Sequence, residues 1–265
     1  MSDPLHRIAA ALERLSPVPP VAADPLAHPA YAWREGRLAA IDLAALPLDR
    51  LYGVDPQRDM LVANLERLAR GYAAHDVLLW GARGSGKSAL AKSAVAAVQA
   101  ATPALGLAVA GDLASLPGLF GALRAVDRPF AIFLDDIGVE AAADARALRS
   151  LLEGGAEPRP DTVRLIVTAN RRHLLPRAME DNAVNPRDAA DDQLALADRF
   201  GLSLGFHALD QEEYLAIVAG HAAALKLAVD RAAALAWAQR RGSRSGRVAW
   251  QFVVEAAGRA GRALG

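Results

Sequence analysis

The residues Gly81-Ala82-Arg83-Gly84-Ser85-Gly86-Lys87-Ser88 fit the pattern G-x-x-x-x-G-K-[ST] and directly follow an apolar run, Val77-Leu78-Leu79-Trp80. The chemistry of such a loop is the binding of polyphosphate. Successive backbone N–H groups turn inward around the anion, in conformations that a Cβ would obstruct, so glycines recur. Lys87 adds a point charge for the outer phosphates, Ser88 offers a hydroxyl to Mg²⁺, and a helix starting there aims its positive end at the ligand. A glycine-rich helix entry without a ligand would explain neither the Lys-Ser pair nor the strand before it.

Further along, the run Phe130-Ala131-Ile132-Phe133-Leu134 ends in Asp135-Asp136. A buried strand thereby delivers two carboxylates to the sheet edge where nucleotide ligands bind. Asp135 is placed to hold Mg²⁺, which prefers oxygen ligands and keeps much of its water. Asp136 can then orient or polarise an attacking water. Such a pair can also simply cap a turn, since Asp is common there. Thr168-Ala169-Asn170 ends the next strand, and a neutral amide at that position can hydrogen-bond a γ-phosphate oxygen and the water without adding charge. Asn is also a common turn residue. Arg171 and Arg172 read better as a solvated surface pair. Arg199, in Asp198-Arg199-Phe200-Gly201, can reach a neighbouring subunit's γ-phosphate or pair within its own chain. Arg247 starts the last helix after Gly242-Ser243-Arg244-Ser245-Gly246 and is the preferred nucleotide contact of the lid, with Arg244 the alternative.

These residues need a scaffold of alternating strands and helices. Strands are predicted at 77–80, 105–110, 130–134, 163–168 and 202–206, with helical segments in most intervals, which implies a parallel sheet covered on both faces. A helix carrying Leu61, Leu65 and Leu68 precedes the first strand. Before it, a short helical pattern at 8–15 and prolines scattered from Pro17 to Pro47 predict an N-terminal arm over residues 1–47, the α/β domain covering 48–208. From residue 209 onward the pattern is helical only. Asp210 and Glu213 form a capping-box pattern, and helices over 231–240 and 245–262 complete a small lid. Trp237 and Trp250 are expected in its core.

In this order the segments resemble the AAA+ ATPase module: Gly53 and Val54 as box II, the phosphate loop as Walker A, Asp135-Asp136 as Walker B, Asn170 as sensor 1, Arg199 as arginine finger and Arg247 as sensor 2. The resemblance covers about residues 48–262. More narrowly, Trp80 with the loop, Thr168-Ala169-Asn170-Arg171-Arg172-His173-Leu174-Leu175-Pro176, Asp198-Arg199-Phe200-Gly201 and Arg244-Ser245-Gly246-Arg247-Val248-Ala249 resemble a bacterial family known only as an ATP-binding domain of unknown function. The resemblance implies a parallel-sheet P-loop NTPase fold of AAA+ type with a C-terminal all-helical lid. It implies ATP and Mg²⁺ as ligands, held by Gly53, Val54, residues 81–88, Ala89 and Arg247. Ser88 and Asp135 would take the metal, and Asp136, Asn170 and Arg199 the catalytic roles. It further implies a homo-oligomer with sites at subunit boundaries, and hydrolysis that drives remodelling or assembly of a protein or nucleic-acid client. One departure stands out: the usual Walker B ends in Asp-Glu, and Asp136 is one methylene shorter.

Composition narrows the classes without choosing a client. Thirty Lys and Arg balance thirty Asp and Glu, so no global charge directs the chain to nucleic acid or anionic membrane. Between Arg240 and Arg262, six arginines face one acid, Glu255, a local basic stripe compatible with nucleic acid or with a nucleotide-facing lid. The absence of cysteine excludes disulfides and thiolate chemistry and accords with a reducing cytoplasm. No signal peptide or membrane span is expected. The six histidines lack ligand spacing for a hydrolytic zinc site. A nucleotide-controlled binding module with negligible turnover would use the same pocket, and a P-loop small-molecule kinase would share the loop.

Overall fold

The computed structural model describes residues 21–137, 142–152, 154, 158–170 and 199–263, with Pro4 and Ile8. The patterns noted at 9–15 and in the proline run that follows lie outside the described residues, as do Arg171, Arg172 and Asp198.

Seven strands form one sheet: β1 (Ala30–Arg34), β2 (Arg37–Ala40), β3 (Val77–Gly81), β4 (Gly106–Ala110), β5 (Phe130–Leu134), β6 (Val163–Asn170) and β7 (Leu202–Phe206), in the order β2-β1-β4-β5-β6-β3-β7. All neighbouring pairs are parallel except β1 with β2. The chain leaves β3, starts β4 three places away, and then fills the gap with β5 and β6. Both the phosphate loop and the Asp135-Asp136 pair consequently emerge on the carboxyl edge of the sheet, where α/β proteins bind ligands. The central strand β5 is buried at all five positions. Its Phe130, Ile132 and Leu134 enter one apolar cluster and its Ala131 and Phe133 the other. That alternation across two covered faces explains why it is apolar throughout.

Helices α1 (Asp55–Ala69) and α2 (Lys87–Ala101) contribute Leu61, Leu65, Leu68, Leu90 and Val95 to the second cluster, and α3 (Leu116–Leu123) contributes Leu119 and Phe120 to the first. Helix α4 (Ala142–Leu152) adds Leu148 to the first. The lid comprises α5 (Gln211–Ala224), α6 (Arg231–Arg241) and α7 (Gly246–Arg259). Tyr214, Ile217, Val218, Ala234, Ala249 and Val253 form its separate core. The capping box is formed: Glu213 N–H donates to Asp210 Oδ1 and Asp210 N–H to Glu213 Oε2, each at 2.8 Å. The last helix stops at Arg259, short of the expected 262. The chain instead turns at Gly261 (φ +66°), and the Arg262 guanidinium donates to the Leu225 and Lys226 carbonyls at 2.6 and 2.7 Å.

Two expectations need correction. Residues before 48 are not all an arm, because β1 and β2 extend the main sheet. Their turn is Glu35-Gly36, with φ +50° and +73°, a tight hairpin turn needing positive φ at both positions. The buried Arg128 locks the segment before β1 in place, donating to the carbonyls of Pro25, His28, Ala104 and Leu105 at 2.7–3.2 Å. The prolines Pro25, Pro29 and Pro47 thus sit beside the strands rather than in them. The second correction is Trp250, which is 39% exposed and outside the lid core, whereas Trp237 packs against it.

Candidate functional site

Gly81 closes β3 at φ +143°, and a Cβ there would lie 2.0 Å from the Phe206 carbonyl oxygen on the neighbouring strand. Only glycine lets the chain leave the strand into the loop at this point. Gly86 then ends the loop at φ +97°, and an added Cβ would meet no atom within 4 Å. It begins α2 without a side-chain cap, so the first amides of the helix, free of any i−4 partner, are left for a ligand. Residues 84–89 line a cavity of about 510 Å³ between the sheet edge and the lid. Gly53, Val54 and Arg247 line the same cavity, as do Gln57, Phe206 and His221.

Lys87 is buried, and its ammonium donates to the carbonyls of Gly81 and Ala82 at 2.9 and 2.8 Å. Burial lowers its pKa; Asp136 and Asp135 oppose that shift, and Arg247 and Arg83 add to it. A desolvated ammonium is an environment that a polyanion relieves.

The first turn of α2 and the ends of β5 and β6 meet beside it in one hydrogen-bonded chain. Ser88 O–H donates to Asp135 Oδ1 at 2.5 Å, and Thr168 O–H donates to the same oxygen at 2.8 Å. Thr168 Oγ1 in turn accepts the Asp136 N–H at 2.7 Å. Asn170 Nδ2 donates to Asp136 Oδ1 at 2.5 Å, while Arg83 Nη2 stands 3.4 Å from Asp136 Oδ2. Asp136 is held at φ +51°, outside the usual range for a residue with a Cβ. Thr168 was absent from the candidate residues, although strand alternation places it on the same face as Asn170, two residues on.

The other end of the cavity is aromatic. Tyr52 and Trp250 each meet the His221 ring edge-on with centroids 5.2 Å apart, and burial lowers the His221 pKa. Tyr52 O–H donates to the Gly220 carbonyl at 3.1 Å, and a Cβ on Gly220 would come within 2.6 Å of the Tyr52 ring. The segment before α1 is thereby fastened to the lid. None of Tyr52, His221 and Gln57 was read as a site residue, since an isolated aromatic, histidine or glutamine carries no pattern.

The candidate residues do not all converge. Gly81 lines neither this cavity nor the second, of about 670 Å³, which Ala82 and Arg83 line together with Arg244. Arg247 lines the first cavity and its N–H donates to the Gly84 carbonyl at 3.1 Å. Arg199 is exposed three residues before Leu202, which pairs with Val77, whereas the phosphate loop leaves the sheet at Gly81, opposite Phe206. Four strand steps, about 13 Å at 3.3 Å each, separate the two ends. Arg199 therefore belongs to the opposite edge from its own phosphate loop. In the basic stripe, Arg259 pairs with Glu255 and Arg241 lies 4.9 Å from the Trp237 ring centroid. Among the described residues no helix is long and apolar enough to cross a membrane, and no cluster of three or more His, Cys, Asp or Glu could hold a metal. The oxygen pair of Ser88 and Asp135 fits magnesium, which takes one or two protein ligands and completes its shell with water and phosphate.

Residues 26–260 match the family described as "Protein of unknown function (DUF815)". The chain belongs to this family. No curated protein matches it by sequence. Among solved structures, this family member is similar to the Holliday junction branch migration motor RuvB of Thermotoga maritima, with TM-score 0.51 and 19% identity over 83% of this chain and 68% of that one. It is also similar to the ORC1 protein of Aeropyrum pernix in complex with DNA, with TM-score 0.57 and 15% identity over 79% of this chain and 61% of that one. At such identities the likeness shows the fold, which is that of the AAA+ P-loop NTPases with C-terminal helices.

Proposed function

We propose that this DUF815 chain binds Mg·ATP in the cleft between sheet edge and lid and hydrolyses it. The observation that carries the reading is the unbroken chain Ser88, Asp135, Thr168, Asp136 and Asn170, which joins the first turn of α2 to the ends of β5 and β6 beside Lys87. Lys87 exchanges its two carbonyl partners for phosphate oxygens, and the amides of residues 84–89 take the remaining charge. Ser88 and Asp135 are the residues that would hold magnesium, whose chemistry is to neutralise charge on the phosphates. A water oxygen attacks the γ-phosphorus as its bond to the bridging oxygen breaks, giving ADP and phosphate. Asp136 accepts the water's proton and Asn170 orients the water. Arg199 lies too far along the sheet to reach its own phosphate loop, which supports a role on a second copy's nucleotide. Arg247, with its backbone on Gly84, transmits nucleotide state to the lid. The work done is remodelling or assembly of a macromolecular client, whose recognition resides in surfaces added to this engine.

Lys87→Ala tests the reading. It should abolish measurable ATP binding by calorimetry while leaving the circular dichroism spectrum intact, and unchanged affinity would refute the site. One observation favours a second reading, a nucleotide switch with slow turnover: the short Asp136 carboxylate is bonded to Asn170, and misplacement by about 1 Å can cost roughly a hundredfold in rate. Phosphate release by the intact chain at saturating ATP decides between them.

A further inference from the structure

Arg83 stands third in the phosphate loop, where cradling phosphate with backbone amides requires no side-chain charge. It is 77% exposed, and its Nη2 lies 3.4 Å from Asp136 Oδ2. The other oxygen of that carboxylate accepts from Asn170 Nδ2. The group assigned to receive the water's proton is therefore spanned by a cation from the loop after β3 and an amide from the end of β6. Its backbone is equally constrained: Asp136 N–H donates to Thr168 Oγ1, and Ile137 N–H to the Thr168 carbonyl at 3.0 Å.

Two features say that Arg83 is not committed to this partner. An ion pair so exposed and so long holds weakly. Arg83 also shares its loop with Lys87, four residues on, and Arg247 donates its backbone N–H to Gly84 of the same loop, so three cations gather at this loop. A phosphate group carrying about two negative charges, delivered against Lys87, competes with the single charge of Asp136 for the Arg83 fork.

We infer that Arg83 senses the γ-phosphate in cis, pairing with Asp136 in the nucleotide-free chain and passing to the terminal phosphate when a triphosphate binds. The inference rests on the ATP reading above. With ADP the terminal phosphate is missing and Arg83 stays on the carboxylate. With ATP one oxygen of Asp136 is released to face the water. Arg83 is thus a positioning residue for Asp136 and a contact for triphosphate alone.

Calorimetry on the full chain with ADP and with the non-hydrolysable β,γ-imido analogue of ATP tests this. Arg83→Ala should weaken the triphosphate analogue about tenfold, the loss of one charge-assisted contact, and leave ADP affinity within about twofold, which also shows that the variant is folded. Arg83→Lys should restore part of the difference. Equal weakening of both nucleotides would make Arg83 a general anion contact, and no change in either would make it a surface ion pair; both overturn the inference. If Arg83→Ala and the unsubstituted chain alike bind neither nucleotide, the ATP reading itself falls, and the inference with it.

Discussion

Replacing Thr168 by valine removes the one hydroxyl that ties the two aspartates of the site to the sheet while keeping almost the same shape. Thr168 is 1% exposed, donates to Asp135 at 2.8 Å and accepts the Asp136 N–H at 2.7 Å. Both hydrogen bonds to Thr168 are partly buried, and losing each costs about 1 kcal/mol. Thr168→Val should therefore lower stability by about 2 kcal/mol. Thr168→Ser keeps both hydrogen bonds and loses a buried methyl, for about 1 kcal/mol. Function should separate the two further. With valine, Asp136 loses the bond that holds its backbone at φ +51°, and a shift of about 1 Å would cost turnover roughly a hundredfold while ATP binding through Lys87 changes little. Serine should hydrolyse ATP nearly as the parent does. Urea unfolding followed by circular dichroism, beside phosphate release and calorimetry on the same samples, reads all three quantities. Equal turnover in the valine and serine variants, or a valine variant as stable as the parent, would refute the argument that this hydroxyl positions the site.

Two further expectations follow from the geometry. Gly81→Ala should lose about 3–5 kcal/mol, combining backbone strain with the clash against Phe206, whereas Gly86→Ala, which meets no atom within 4 Å, should lose only the strain, about 1–2 kcal/mol; equal unfolding midpoints for the two would contradict the close approach at Gly81. If Arg199 acts on a second copy's nucleotide, mixing Arg199→Ala with Asp136→Asn subunits should restore phosphate release that neither shows alone, and full activity of Arg199→Ala by itself would withdraw the role.

How much of this was legible in the chain can be judged from particular residues. The strands at 77–80 and 130–134 could be read because they lie in a sheet covered on both faces, where every position is apolar and a continuous run results. The phosphate loop and the capping box at Asp210 and Glu213 were readable because their chemistry is local, with donors and acceptors a few residues apart. The hairpin of β1 and β2 escaped because its short strands sit among prolines and its Glu35-Gly36 turn is not the usual asparagine or aspartate type.

The lasting division is between local and distant contacts. Sequence alone determined that the chain carries a phosphate loop, a strand ending in two aspartates, a strand ending in asparagine and a helical tail. The crossing order of the sheet decided that these three strand ends lie side by side, since β5 and β6 insert between β4 and β3. Tertiary structure likewise decided that Thr168 is the joint between the aspartates, that Arg247 rather than Arg244 lines the cavity shared with residues 84–89, and that Tyr52, 168 residues from Gly220, fastens its other end. A hydrogen bond between residues so far apart leaves no periodicity or spacing behind. It exists only once burial of the two sheet faces and the lid core has brought the backbone together.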